Sequence, residues 1–380
     1  MVNLSMRSVS SNRTAPYDFV RRTLATGVEA SMAQQVRELL MLGGVDWEET
    51  AALASKECVA PALFPVLRDS QLIQDLPADF TLFLEVVNEL NRIRNIEFFA
   101  ETELIAQLLN RRGIEPILLK GIAYLFIGAY KDSGSRFLTD IDMLLSKDQL
   151  AEAIETLRDH GFEPRATLDP VHHHYCPMSR TIESPLIELH EGFTTRGRGA
   201  LLQPEEVIGS SELMVVNGSR FRIPSAEHLL LHLILHAEND EGPRLWIWPP
   251  LRPLLDFAML LRAFPNQFDW SRLRSKFEVA GCEHVLQLFC LAADEVLGLS
   301  LVPNLAPERV PFQWFRSRAL RKFPALRLID LEYMATISIA PRLRRVKLFF
   351  HLKGGLRYLI RRTLRPTLLR DIIRDAIRRR

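Results

Sequence analysis

Cysteine is scarce in this chain: Cys58, Cys176, Cys282 and Cys290 are the only four. They are scattered, with no C-x-x-C pair, which excludes a disulfide scaffold and a zinc-finger spacing and fits reduced thiols in a cytoplasmic protein. Long apolar runs are missing too. None approaches the roughly 20 residues that a membrane-spanning helix needs, so no transmembrane segment is expected. The opening MVNLSMRSVSSNRTAPYD has no apolar stretch of the kind a secretory leader carries. There is no internal repeat and no low-complexity segment. The formal net charge is only +2, so the whole chain is no obvious polyanion binder. These absences leave a soluble, cytoplasmic protein as the expectation.

What is present is an ordinary globular balance, 47% hydrophobic and 25% charged over 380 residues, enough for two or three packed domains. The small net charge hides an asymmetry. From Pro341 to Arg380 there are fourteen Lys/Arg against Asp371 and Asp375, a local net of +12, so the other 340 residues carry −10. This basic tail (341–380) mixes its charges with Leu, Ile, Phe and Tyr. Three readings fit it: a helix packing on the acidic body of its own chain, a segment peripheral to an anionic membrane surface, or a nucleic-acid contact.

Along the chain, residues 1–16 are Ser/Asn/Arg-rich and read as disordered. Residues 17–112 read as a helical region, in which Asp46 with Glu49 could cap a helix and Gly113 stops a long pattern from Phe80 to Arg112. The texture changes at 113–224. "IEPILL" (114–119) and "RFLTDIDMLL" read as strands and "IAYLFIGAY" as a short helix. Ser146, with Gln149 three residues on, opens a helix that runs to His160 and stops at Gly161. "FEPRA", "HHHYCPMS" and "LIELHEGF" read as three further strands. Residues 225–340 read as helical again: "SAEHLLLHLILHAEND", "LRPLLDFAMLLRAF" and one helix over 274–297. The expected class is α+β, a small mixed sheet between two helical regions.

The chemistry gathers in the sheet unit. Side chains alternate across a strand, so Asp140 and Asp142 share one face while Ile141 and Met143 take the other. Two carboxylates so close repel unless a cation or a shared proton intervenes, and Mg2+ suits such a pair, bound with substrate phosphates. In "LIELHEGF", Glu188 and His190 share a face; beside "TDIDMLL", Glu188 completes a three-carboxylate cluster able to hold two metal ions for an in-line displacement at phosphorus. Lys120 and Gly121 lie where a strand meets a helix start, a place for a phosphate, and Arg136 could clamp one bidentately.

The stretch "LLKGIAYLFIGAYKDSGSRFLTDIDMLL" followed by "IELH" resembles the poorly characterised nucleotidyltransferase family within the DNA polymerase β-like superfamily. The matching residues are Leu119-Lys120-Gly121, Ala123, Tyr130, Arg136, Asp140-Ile141-Asp142 and Glu188-Leu189-His190; the likeness extends to His172–His174 and, more weakly, over Leu229 to Asp256. It covers about residues 90–260. Two departures stand out: Lys-Gly replaces the superfamily's usual Gly-Ser at the phosphate-binding helix, and Glu191 follows the ELH where an aromatic is common. The resemblance implies a minimal nucleotidyltransferase fold. Asp140 and Asp142 would bind Mg2+–NTP (Mn2+ being the alternative ion), and Glu188 would bind metal or activate an acceptor hydroxyl. Lys120, Gly121 and Arg136 would hold phosphates. The acceptor, whether small molecule, peptide, protein or RNA, is not specified. A non-catalytic nucleotide-, nucleic-acid- or protein-binding module on the same fold is the alternative.

The histidines add to this. His172 and His174 could share a strand face and line the cleft, and His190 could orient or protonate a substrate group. His228, His232 and His236 stack on one helix face; with no HExxH among them, a polar seam against the sheet unit fits better than a zinc site. Trp246 and Trp248 read as packing anchors at a domain junction.

Overall fold

The computed structural model describes residues 14–165, 175–193, 201–241, 247–299, 312–323 and 326. The expected disordered stretch up to residue 13, His172–His174, Trp246 and the basic tail lie outside them. The described residues fall into two units. One comprises the described residues 247–248, 312–323 and 326, which include the helix α13 (Phe312–Lys322). The other, considered from here on, holds twelve described α-helices and a seven-stranded sheet.

Its first helices are α1 (Thr14–Val28), α2 (Ala33–Leu42), α3 (Trp47–Lys56), α4 (Ala60–Asp69) and α5 (Ala78–Asn110). The first begins inside the stretch expected to be disordered, because Tyr17, Val20 and Leu24 recur at helical spacing and are buried. The Asp46 side chain accepts the Glu49 amide at 2.9 Å, as a helix cap should. Among the described helices none alone is long and apolar enough to cross a membrane. The 33-residue α5 buries a stripe running Leu84, Asn88, Asn91, Asn95, Phe98, Thr102, Ile105 and Leu109. Three asparagines in a buried stripe would be costly unless bonded, and their partners turn out to organise the site.

The strands are β1 (Ile117–Leu118), β2 (Asp140–Leu144), β3 (Glu163–Pro164), β4 (Met178–Ser179), β5 (Leu186–His190), β6 (Glu212–Val216) and β7 (Ser219–Ile223). They order as β3-β4-β5-β2-β1-β7-β6 in a mixed sheet. The central β2 runs parallel to β5 and antiparallel to β1, and β1 in turn runs parallel to β7. Ile141, Met143, Ile187 and Leu189 are fully buried on one face, each worth about 1.5–3 kcal/mol of burial. A one-residue slip would exchange these four with the acids between the two faces, which fixes the register. The β6–β7 hairpin was not among the expected strands. Its signal was in "VVNGSR": Asn217 and Gly218 both take the left-handed conformation, at φ 49° and 79°, which a two-residue hairpin turn requires.

Four more α-helices close the unit around α6 (Lys120–Phe126), α7 (Lys147–Asp159) and α8 (Pro204–Ser210): α9 (Ala226–Glu241), α10 (Leu251–Ala263), α11 (Trp270–Val279) and α12 (Glu283–Leu297). The single helix expected over 274–297 is two, broken where Gly281 sits at φ 65°.

Candidate active site

The pairing of β2 with β5 aligns Asp140 with Leu186, Asp142 with Glu188 and Leu144 with His190. Directly paired residues point the same way, so Asp140, Asp142, Glu188 and His190 all stand on one face of the sheet. The adjacency expected for Glu188 and the aspartate pair is therefore present. His190 Nε2 lies 2.8 Å from Asp142 Oδ1 and 3.7 Å from Glu188 Oε2. One potential ligand atom from each of Asp142, Glu188 and His190 falls within 4.8 Å of the others. Two carboxylates and an imidazole that close form a donor set fit for a divalent cation. Asp140 lies outside that trio, one pleat along the strand.

Lys120 comes to the same point from β1. Leu119 continues the pairing with β2, its amide donating to the Asp142 carbonyl at 3.0 Å. Lys120 then turns into the left-handed region at φ 51°, a conformation that costs a side-chain-bearing residue about 1–2 kcal/mol. The turn starts α6 and delivers the Lys120 ammonium to Asp142 Oδ1 at 2.6 Å. Gly121 is a glycine for a packing reason rather than for flexibility at a phosphate. A Cβ there would sit 2.6 Å from Leu138 Cδ2 and 3.2 Å from Arg136 Nη2.

The electrostatics split the two aspartates. Burial alone would raise the Asp142 carboxyl, but Lys120 and the hydrogen bond from His190 overcome it and hold Asp142 well below the usual range. Asp140 goes the other way, up to about 7, through burial first and then the charge of Asp142, with Lys120 opposing. Burial pulls Lys120 down, yet Asp142 more than compensates and the ammonium is held above its ordinary value. One acid is thus locked as an anion while its neighbour titrates near neutrality.

Arg136 is not where a phosphate clamp would put it. Its guanidinium is buried and makes a two-point pair with Asp256 of α10, Nε to Oδ1 at 2.7 Å and Nη2 to Oδ2 at 2.9 Å. The Tyr130 hydroxyl donates to the same Asp256 Oδ1 at 2.6 Å. This assembly forms the floor on which Gly121 rests. Its main chain is held from α5. Asn91 and Asn95 both donate to the Arg136 carbonyl, at 3.0 and 2.8 Å, while Asn91 also reaches the Gly134 carbonyl and Asn95 that of Ser133. Asn88 and Arg92 bind Asp132 in the same loop. The asparagine stripe of α5 therefore satisfies the carbonyls of the loop that leads into β2.

Sequence reasoning missed Arg94 as well. It donates to the Leu138 carbonyl, lies between the Phe98 and Phe137 rings at 4.7 and 4.6 Å, and is close enough for Asp140 to act on its charge. Nothing in its helical context pointed to a strand 46 residues on.

The α9 histidines divide. His228 Nδ1 bonds with Ser210 Oγ at 3.0 Å and Ser225 Oγ at 3.1 Å, a packing role. His232 is buried and lies 4.8 Å from the Phe193 ring and 6.0 Å from His236. Burial chiefly, then the charges of His236, Lys120 and His190, hold its pKa well below the ordinary value. It stands neutral at the edge of the cluster, as a polar seam would.

A family model described as an uncharacterised nucleotidyltransferase matches residues 43–298. Comparison with curated proteins and with solved structures finds no match.

Proposed function

The chain belongs to the uncharacterised nucleotidyltransferase family, and from that premise we propose that it moves a nucleoside monophosphate from an NTP to an acceptor hydroxyl. The hydroxyl oxygen attacks the α-phosphorus, a new O–P bond forms, the bond to the bridging oxygen breaks, and pyrophosphate leaves. Asp142 and Glu188, paired across β2 and β5, would hold the divalent cation. That ion supplies neutralisation of the triphosphate and polarisation at the α-phosphorus. Lys120 turns its ammonium from Asp142 toward the phosphates. Asp140, on the same sheet face one pleat along from Asp142, takes the hydroxyl proton as the general base. Arg136, Asp256 and Tyr130 act beneath the site by fixing the turn that aims Lys120. Positioning and electrostatics carry such a transfer. The observation that supports the reading most is that Lys120 and His190 both meet Asp142 Oδ1 beside Glu188.

The experiment is calorimetric titration with non-hydrolysable NTP analogues and Mg2+, then Mn2+, which needs no knowledge of the acceptor. The wild type should bind one nucleotide only with the ion present. Asp142→Ala should lose that binding. Asp140→Asn should keep it, yet release pyrophosphate far more slowly from a hydrolysable NTP with water as acceptor. Nucleotide binding that ignores the ion, or survives intact in Asp142→Ala, would leave a non-catalytic module as the better description.

A further inference from the structure

The cluster that holds Asp142 is not an all-oxygen site. His190 is 7% exposed, and its Nε2 points between two carboxylate oxygens, 2.8 Å from Asp142 Oδ1 and 3.7 Å from Glu188 Oε2. An ionised carboxylate only accepts, so at 2.8 Å the Nε2 carries the proton. The Lys120 ammonium reaches the same Oδ1 at 2.6 Å. Two positively polarised N–H donors thus meet one carboxylate oxygen beside a second carboxylate. That is the arrangement expected of donors standing in for a cation.

The spacing fits that substitution. Ligand atoms about 2.1 Å from one ion are about 3.0 Å apart when adjacent in an octahedron and about 3.4 Å apart in a tetrahedron. The two separations from Nε2, 2.8 and 3.7 Å, bracket those values, and one ligand atom from each of the three residues lies within 4.8 Å of the others. The sheet register sets this up: Glu188 is opposite Asp142, and His190 follows one pleat later on the same face. Asp140 is not in the trio. Imidazole nitrogen suits first-row transition dications, whereas Mg2+ takes oxygen ligands and keeps its waters.

We propose that His190, through Nε2, is a direct metal ligand together with Asp142 and Glu188, and that the site takes a first-row transition dication of the Mn2+ class in preference to Mg2+. This rests on the reading of the cluster as metal-holding and assigns it a nitrogen ligand. As the ion enters, the Nε2 proton leaves, to solvent from an imidazolium or to Nδ1 by a change of tautomer, and Lys120 leaves Oδ1, which frees the ammonium for an anionic ligand. Loading the ion and arming Lys120 become one event.

The test is pulsed electron paramagnetic resonance on the full chain with Mn2+ alone and no nucleotide. The spin echo should show modulation from a directly bound 14N, replaced by the 15N pattern when the protein is made with 15N-histidine. His190→Gln should abolish the modulation and weaken Mn2+ by about tenfold or more, with a smaller change for Mg2+, so the Mn2+-over-Mg2+ preference shrinks. His232→Gln should keep the modulation. If His190→Gln does not fold, the labelled wild type still decides the question. Bound Mn2+ without 14N modulation, no Mn2+ binding at all, or a His190→Gln protein with its Mn2+ preference intact would overturn the assignment. Metal-dependent nucleotide binding without nitrogen coupling would sink this inference alone and spare the transferase reading. Nitrogen coupling in a protein that binds no nucleotide would do the reverse.

Discussion

Asp140→Asn should make the metal-free protein more stable, and only above about pH 4. The Asp140 carboxyl sits at about 7 in the fold against an ordinary 3.8, so the folded chain holds that proton more tightly than the unfolded one. Between 3.8 and about 7 the folded state therefore binds more protons, and stability falls as pH rises through that window. Roughly three decades of proton affinity at about 1.36 kcal/mol each set an upper bound near 4 kcal/mol at pH 8. Asp140 is partly solvated and Lys120 is close, so about 2 kcal/mol is the expected gain after screening. Asparagine keeps the shape and can still accept the Thr139 hydroxyl that Asp140 accepts at 2.9 Å, but carries no charge to repel Asp142. The assay is urea unfolding of both proteins with a chelator at half-unit steps from pH 4 to 8.5. The two curves should meet near pH 4, diverge to about pH 7, and then run parallel. A gap that does not change with pH, or a variant less stable at pH 8, would refute the reasoning that Asp140 is a destabilising charge held for chemistry.

Removing one side of the buried Arg136–Asp256 pair, as in Asp256→Asn, should cost about 3–5 kcal/mol in thermal or urea unfolding, because it leaves a guanidinium buried without its counter-charge. Gly121→Ala should cost about 1–3 kcal/mol, since its Cβ would enter Leu138 at 2.6 Å, and should weaken nucleotide binding by moving Lys120; calorimetry on the folded fraction reads the second effect. Lys120→Met should lower metal-free stability at pH 7 by on the order of 3 kcal/mol. With the Asp142 pKa depressed in the wild type, that difference should narrow as pH falls below 3.8, and added Mn2+ should restore most of the loss at pH 7.

Much of this was legible one strand at a time. Period-two alternation put Asp140 with Asp142 and Glu188 with His190, and the structure keeps both faces. The helix starts at Asp46 and the stops at Gly113 and Gly161 were local signals and held locally. What sequence could not carry is pairing across distance. Arg136 stands 120 residues from Asp256, and a lone arginine before a strand offers no sign of whether it faces a ligand or a buried acid. Asn88, Asn91 and Asn95 keep helical spacing, yet asparagines on a helix ordinarily mark its wet side; Asn91 and Asn95 bond loop carbonyls about 40 residues on, and Asn88 bonds the Pro61 carbonyl and the Asp132 carboxylate. The Asn217-Gly218 turn was a local signal too, but the strand before it has no buried residue to set an alternation, whereas the strand after it alternates.

Those unread pairings explain why the site holds two acids of opposite proton affinity on one strand. A buried strand face should reject Asp140 and Asp142 alike. Asp142 is tolerated because the Lys120 ammonium and the His190 N–H both donate to a single oxygen. Lys120 reaches it only because its backbone takes φ 51°, and that turn in turn rests on Gly121 lying against the Arg136 guanidinium. Arg136 can lie there because Asp256 and Tyr130 hold it from below, while the α5 asparagines fix its main chain. Among the described residues Asp140 accepts the neutral Thr139 hydroxyl and is left to titrate. A motif of two aspartates states where the carboxylates are; the helices on either side of the sheet decide which is the anion and which is free to take a proton.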